Sequence, residues 1–129
     1  MLHRVIIASE AVGATGTSTL SIAQILGVAE RNNRRDDITA CVVFHQGHIL
    51  HVMEGSRTDL DRLINRLRVD PRHRALRVLQ DKPIAQRAIG EAMCLCGDPD
   101  TLLAAVNLPC LSLLTANDCD RILDLRRAA

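Results

Sequence analysis

Short apolar runs alternate along the chain with segments whose apolar residues recur at helical spacing. The β-branched run at residues 5–8 predicts a buried first strand. A helix is expected to begin near Thr17 or Ser18 and to end in the polar run at 31–37. The apolar face of this helix consists of Ile22, Ile25, Leu26 and Ala29.

The middle of the chain predicts a hairpin followed by a second helix. Strands at 38–44 and 49–54 flank a tight turn at 46–47. Ser56 and Asp59 have the spacing of a capping box, which indicates a helix N-terminus. The apolar positions that follow at helical intervals are Leu60, Leu63, Ile64 and Leu67.

An Asp-Pro pair at 70–71 ends the second helix, because proline cannot continue it. Further strands are expected at 75–79 and 92–96. Two helices that each present one apolar face, joined to strands in this order, predict the α+β class. The expected fold is a ferredoxin-like β-α-β-β-α-β core with an added fifth strand.

The predicted hairpin strands are apolar on both faces, so the two crossover helices leave one sheet face uncovered. C-terminal helices at 98–106 and 115–127 are expected to cover it, although a partner subunit could supply the same cover. Their apolar residues and those of the link between them are Leu102, Leu103, Leu111, Leu113, Leu114, Ile122, Leu123 and Leu125. We therefore expect a domain at 1–97 and a helical extension at 98–129 packed on the same domain.

The composition narrows the classes of function. Among 129 residues, 16 basic and 15 acidic side chains leave a net charge of +1, which gives no field to attract nucleic acid. Phe44 is the one aromatic residue of the Phe, Tyr and Trp kind, so a mechanism that needs a phenol or an indole is excluded. No apolar run reaches the roughly 18 residues of a membrane span.

Five cysteines are an odd number, and the sequence begins without the pattern of a secretion signal. We therefore expect reduced thiols and a cytoplasmic location. The cysteines are Cys41, Cys94, Cys96, Cys110 and Cys119.

Five sequence blocks together resemble the BLUF domain, the flavin-binding family of blue-light sensors. They occur in the family's order and spacing, and the resemblance extends over about residues 3–97. The blocks are 31–39, 44–47, 51–55, 70–74 and 82–87.

The resemblance implies an FAD cofactor whose ring lies between the two crossover helices. The positions that match the family's binding residues are Asn33, with Asn32 adjacent, and the pair Arg72 and His73. An amide offers a donor and an acceptor to the edge of a flavin ring, and a guanidinium offers fixed donors. The resemblance also implies a sensory or regulatory domain.

The family's light response depends on a tyrosine on the first strand, hydrogen-bonded to a glutamine on the third. The tyrosine donates an electron to the excited flavin, and the rearranged hydrogen bonds shift the flavin band to the red. These two positions fall on Ile7 and His51 in this chain, while Met93 lies near the place of the family's tryptophan or methionine. Isoleucine cannot donate an electron, so we expect no standard light cycle, although His51 could still contact the flavin edge.

Histidines and cysteines in the hairpin raise the question of a metal site. His45, His48 and His51 need not converge, because strand alternation separates them, and their spacing fits no closed zinc site. Cys94 and Cys96 share one face of a strand, where buried apolar cysteines are commoner than regulatory thiols. We expect no metal.

Two classes of function follow. The first is a BLUF-type sensory module that holds FAD, and the alternative is a flavin-free protein-protein interaction module on the same fold. The sequence assembles no nucleophile with an adjacent base, so we expect no enzyme activity. The expected partners are other copies of the chain in a homo-oligomer and a downstream regulatory protein, with neither nucleic acid nor membrane.

Overall fold

The computed structural model of the chain describes residues 1–13 and 18–128. Its five strands are β1 (Leu2–Ala11), β2 (Thr39–His45), β3 (His48–Ser56), β4 (His73–Ile84) and β5 (Cys94–Leu95). The α-helices are α1 (Thr19–Arg35), α2 (Arg57–Arg68), α3 (Pro99–Ala105) and α4 (Ala116–Ala128), and a 3-10 turn occupies Leu111–Leu113.

The strands form one sheet in the order β4-β1-β3-β2-β5. β1 is antiparallel to both β3 and β4, β2 is antiparallel to β3, and β5 adds parallel to β2 at the edge. Helices α1 and α2 each connect two strands of this sheet. The predicted ferredoxin-like core with an added fifth strand is confirmed.

Two strands differ in length from the prediction. β4 runs over His73–Ile84 rather than 75–79, because it pairs along β1 through two register shifts. Residues 80–82 are polar, a composition typical of loops, yet they belong to this edge strand. β5 is limited to Cys94–Leu95 rather than 92–96, and the Ala92 carbonyl, two residues before it, accepts a hydrogen bond from the Asn33 side chain of α1.

Both crossover helices begin at a capping serine. The Ser18 hydroxyl accepts a hydrogen bond from the Ser21 amide at 3.3 Å, whereas the alternative start at Thr17 lies outside the described residues. At α2 the Ser56 hydroxyl accepts from the Asp59 amide at 3.2 Å and donates to the Asp59 carboxylate at 2.8 Å. The predicted capping pair therefore fixes the start of α2.

The sheet separates two cores. On the side of α1 and α2, strand residues pack against three apolar residues of α2, namely Leu60, Leu63 and Ile64. The full set of buried residues in this helix-side core is Val5, Ile7, Ile38, Ala40, Met53, Leu60, Leu63 and Ile64.

The C-terminal segment covers the other face of the sheet, as expected. This tail-side core consists of Ile6, Cys41, Val43, Leu50, Val52, Ile89, Leu103, Val106, Leu111, Leu114, Cys119 and Leu123. Leu102 and Ile122 pack against it. The expectation that Leu113 is buried is wrong, because 54% of it is exposed. A 3-10 turn repeats every three residues, so Leu111 and Leu114 face the core together while Leu113 points away. The Leu125 side chain lies outside the described part.

A buried ion pair anchors the segment between β4 and β5. The Glu54 carboxylate is fully buried and accepts a hydrogen bond from Arg4 Nε at 2.9 Å. It also accepts from the backbone amides of Ala88 and Ile89, each at 2.9 Å. The Arg87 guanidinium donates to the Glu54 backbone carbonyl at 2.9 Å. The segment at 85–93 is thus attached to the end of β3.

The division of the chain at residues 97 and 98 stays a prediction. Within the described ranges, no helix is long and apolar enough to cross a membrane. The tail and the sheet share one core, so the two parts pack as neighbours.

Leu63→Ala should lower the free energy of unfolding by about 2–5 kcal/mol, because it leaves a cavity in the helix-side core. Leu63 is 8% exposed. The control is Leu20→Ala on α1, where the leucine is 69% exposed and the expected change is within about 0.5 kcal/mol. Chemical denaturation measures both variants, and equal midpoints for Leu63→Ala and the unmodified protein would contradict the burial of Leu63 in the helix-side core.

Candidate functional site

A cleft of about 200 Å³ lies between α1, α2 and the helix-side face of the sheet. Apolar side chains of both helices form its walls, and polar side chains lie at the ends of the helices. The sequence-predicted site residues that line it are Ile7, Asn32, Asn33, His51, Arg72, His73 and Met93. The structure therefore brings every one of these candidates to a single cleft.

Ile7 and His51 form the floor of the cleft as cross-strand neighbours. The β1–β3 register places them directly opposite each other, and Val42 lies opposite His51 on the other side. Directly paired residues of neighbouring strands project from the same sheet face. The two positions that the resemblance assigns to the light response are thus adjacent in this chain as well.

His51 carries a polar atom with no partner. Its Nε2 is buried and makes no hydrogen bond within the described protein. Burial lowers the pKa of His51 to about 4, and the nearby His73 ring contributes to the same shift. His51 is therefore neutral at pH 7, with one ring nitrogen as donor and the other as acceptor. A buried unpaired nitrogen is costly, and a ligand group in the cleft could pair with it.

Asn33 lies at the end of α1 and is 1% exposed. Its Nδ2 donates to the carbonyl oxygen of Ala92 at 2.7 Å. The Asn33 backbone carbonyl accepts from the Ile38 amide at 2.9 Å. Asn33 therefore connects the helix to the segment that carries Met93 into the cleft wall.

Both ring nitrogens of His73 are bonded within the chain. Nε2 lies 2.6 Å from the Leu67 carbonyl oxygen, and Nδ1 lies 2.9 Å from Ser9 Oγ. A carbonyl only accepts, so Nε2 carries the proton and, in the neutral ring, Nδ1 accepts from the serine hydroxyl. His73 thus joins β1, α2 and β4 and leaves neither nitrogen for a ligand.

Arg72 is paired with a carboxylate beside the cleft. Its Nε donates to Asp70 Oδ1 at 2.9 Å, and its Nη2 donates to Asp70 Oδ2 at 2.5 Å. The hydrogen bond from Arg72 lowers the pKa of Asp70. Half of the Arg72 side chain is exposed, so the pair lies at the solvent side of the cleft.

Besides Asp70, two further polar residues line the cleft that the sequence did not indicate as site residues, namely Ser9 and Arg66. Ser9 lies two residues after Ile7 on β1 and so shares its face. Arg66 lies three residues after Leu63 on α2, and its Nη2 is buried without a hydrogen bond, 3.7 Å from Asp36 Oδ2. Strand and helix periodicity applied to polar residues would have identified both.

The histidines of the hairpin do not converge. His45 Nε2 lies 3.0 Å from Asp100 Oδ1 near the start of α3, whereas His51 faces the cleft on the opposite side of the sheet. Among the described residues, no group of three His, Cys, Asp or Glu could hold a metal ion.

The chain matches the family model of BLUF, described as sensors of blue-light using FAD, over residues 2–93. That match covers most of the chain. No curated protein sequence matches the chain significantly.

Solved structures share the fold. A bacterial light-regulated adenylyl cyclase is 25% identical, with 97% of this chain and 36% of that chain covered and a TM-score of 0.74. This chain thus spans about a third of the cyclase. The ground state of BlsA is 18% identical over 100% of this chain and 89% of that chain, with a TM-score of 0.86. The BLUF protein BlrB in its dark state is 22% identical over 98% and 96%, with a TM-score of 0.85.

The ligand-free protein should become less stable as the pH is lowered, because His51 is neutral in the folded state. Its folded pKa of about 4 lies below the ordinary value of 6.5, so the unfolded chain binds more protons between these values. The contribution of His51 to the free energy of unfolding is complete above pH 6.5 and is lost as the pH falls towards 4. From pH 7 to pH 5 this group should remove about 2 kcal/mol from the free energy of unfolding.

His51→Gln, which has no titrating ring, should lose that part of the acid sensitivity. Denaturant unfolding of both proteins at pH 7 and pH 5 measures the difference. The same loss of stability in both would show that His51 is not buried in its neutral form.

Proposed function

The chain belongs to the BLUF family, and we propose that it is a sensory or regulatory module that holds the flavin ring of FAD in the cleft between α1 and α2, without the family's standard light cycle. The observation that carries this proposal is the buried, unpartnered His51 Nε2 in a cleft with apolar walls. A flavin ring presents polar edge atoms and two apolar faces, which match such a cleft.

Several residues would hold the ring. His51 would bond one polar edge atom, and the amides of Asn32 and Asn33 would face the same edge from the end of α1. The buried Arg66 Nη2 is a further available donor. Arg72 lies at the solvent side, where it would meet the carbonyl or phosphate oxygens of the cofactor. A bound flavin would supply blue-light absorption and an electron-accepting ring.

The floor of the cleft lacks the electron donor of the light cycle. Ile7 is 2% exposed and belongs to the helix-side core, so its position offers apolar contact alone. The whole sequence contains neither tyrosine nor tryptophan that could take over. The neutral His51 can form a hydrogen bond to the ring, but without a donor at position 7 that bond has no cause to rearrange.

A specific observation favours the flavin-free interaction module as the second candidate. Three of the predicted ligand-binding side chains already have partners in the chain, because Asn33 donates to Ala92, His73 bonds at both nitrogens and Arg72 pairs with Asp70. In this candidate, internal hydrogen bonds occupy these polar side chains in place of a flavin. The function of the module is then to bind another protein.

We also propose that the module catalyses no reaction, forms a homo-oligomer and acts in the cytoplasm on a downstream regulatory protein. In the light-regulated adenylyl cyclase the matched part belongs to a much longer chain, which supports coupling of this module to a downstream effector. The domain division at residues 97 and 98 belongs to the same proposal.

The first test is binding of FAD to the purified protein. Saturable binding with a yellow protein supports the flavin module, whereas a protein that stays colourless after addition of FAD supports the interaction module. Arg72→Ala should weaken binding by about 1–3 kcal/mol, because a charged hydrogen-bond donor is lost. Isothermal titration measures the affinity.

Arg74→Ala is the matched control, since Arg74 is 73% exposed, pairs with Glu10 and does not line the cleft. Its affinity for FAD should equal that of the unmodified protein. An unchanged affinity in Arg72→Ala would remove Arg72 from the binding site.

The second test is the response to light. Protein loaded with FAD should show no reversible red-shifted state after blue illumination, and any bleaching should be slow and depend on added reductant. Ile7→Tyr combined with His51→Gln is the smallest change expected to recover a shift. Difference spectra before and after illumination record both proteins.

Each single variant serves as a control for the pair, because one restored group lacks its hydrogen-bond partner. A reversible red shift in the unmodified protein would disprove the light-insensitive assignment and leave the flavin assignment intact.

A further inference from the structure

Two cysteines face each other across the β2–β5 pair. The parallel register places Cys41 directly opposite Cys94. Cys41 belongs to the tail-side core and Cys94 packs against that core, so both side chains project from the same face of the sheet. Both are thiols in this structure.

We propose that Cys41 and Cys94 are an oxidisable dithiol pair that forms a reversible disulfide. Paired residues on neighbouring strands lie about 4.8 Å apart, within the range of about 4.4–6.8 Å between the Cα atoms of disulfides. The Cβ atoms must come within about 3.8 Å, which requires the strands to approach by about 1 Å. β5 has two residues and lies at the sheet edge, so it can make this movement.

The exposure of the two thiols sets the order of events. Cys94 is half-buried and Cys41 is buried, so a small-molecule disulfide such as oxidised glutathione reaches Cys94 first. The Cys94 thiolate attacks one glutathione sulfur, the glutathione disulfide bond breaks, and one glutathione leaves as a thiolate that takes up a proton. The Cys41 thiolate then attacks the Cys94 sulfur and releases the second glutathione. Two protein thiols are oxidised and one glutathione disulfide is reduced.

The disulfide would act on the cleft through the neighbouring residue. Met93 lines the cleft on one side of the sheet, while Cys94 packs on the other. Ala92, the residue before Met93, accepts the hydrogen bond from the Asn33 side chain. Movement of Cys94 towards Cys41 therefore displaces both contacts. A disulfide formed under such strain is more easily reduced, which makes the change reversible.

The test oxidises the folded protein with oxidised glutathione and maps the disulfides by peptide mass spectrometry with fragment sequencing. We expect a cross-link between Cys41 and Cys94 that dithiothreitol removes. A link between Cys94 and Cys96, or a mixed glutathione disulfide alone, would overturn the proposal. The unmodified protein decides this outcome, so no variant needs to fold. Burial, together with the nearby carboxylates of Asp118 and Asp120, raises the pKa of Cys119 to about 11, so its thiolate is scarce at neutral pH.

Cys41→Ser should abolish the cross-link and leave Cys94 as a mixed disulfide. The matched control is Cys96→Ser, because Cys96 packs against the same core but lies beyond the paired positions. Its cross-linked fraction should equal that of the unmodified protein, and loss of the cross-link in this variant would contradict the pairing.

The effect of the disulfide on the cleft can be measured by NMR without any ligand. The chain has three methionines, so a spectrum of protein labelled with ¹³C at the methionine methyl groups has three signals. The Met93 signal should shift on oxidation and return on reduction, whereas Met53 in the helix-side core should change little. An unchanged Met93 signal in cross-linked protein would disprove the coupling to the cleft.

Discussion

The Glu54 carboxylate is the constraint on which the cleft depends. The carboxylate is buried near the end of β3, where no water can solvate it. It therefore depends on the hydrogen bonds from Arg4 and from the amides of Ala88 and Ile89. Loss of one partner from such a buried pair commonly costs about 3–5 kcal/mol. The segment at 85–93 is therefore held in place at Ala88 and Ile89, although it contains no regular secondary structure.

That segment serves both faces of the sheet. Ile89 enters the tail-side core, and four residues later Met93 reaches the cleft on the other face. Asn33 is bonded to the same segment at Ala92, so the end of α1 is positioned by it as well. A buried charge near the end of the central strand β3 thus determines the shape of one cleft wall, three residues along the chain from His51 on the cleft floor.

Periodicity and local chemistry explain what could be predicted from the sequence. The capping pair at Ser56 and Asp59 and the alternation of apolar residues are local signals, so α2, the hairpin and the need for cover on both faces followed directly. The resemblance identified His51, Asn32, Asn33, Arg72 and His73 as site residues, but it did not identify Ser9 or Arg66. Glu54 and its partners, and likewise His73 and Ser9, are separated by 34 to 64 residues in the sequence. No local sequence pattern encodes such contacts. The edge strand β4 was predicted too short, because exposed polar residues carry no alternation.

The two edges of the sheet also limit how copies of this chain can associate. A long, regular edge strand exposes unpaired backbone groups on which another chain can add a strand and begin aggregation. Here one edge is a two-residue strand, and the other is interrupted by two register shifts and contains Pro83, which has no amide hydrogen to donate. Both edges are poor templates for a sheet that continues from one molecule into the next. A homo-oligomer of this chain would accordingly be expected to use helix or tail surfaces, and its apolar five-stranded sheet would remain protected from fibril formation.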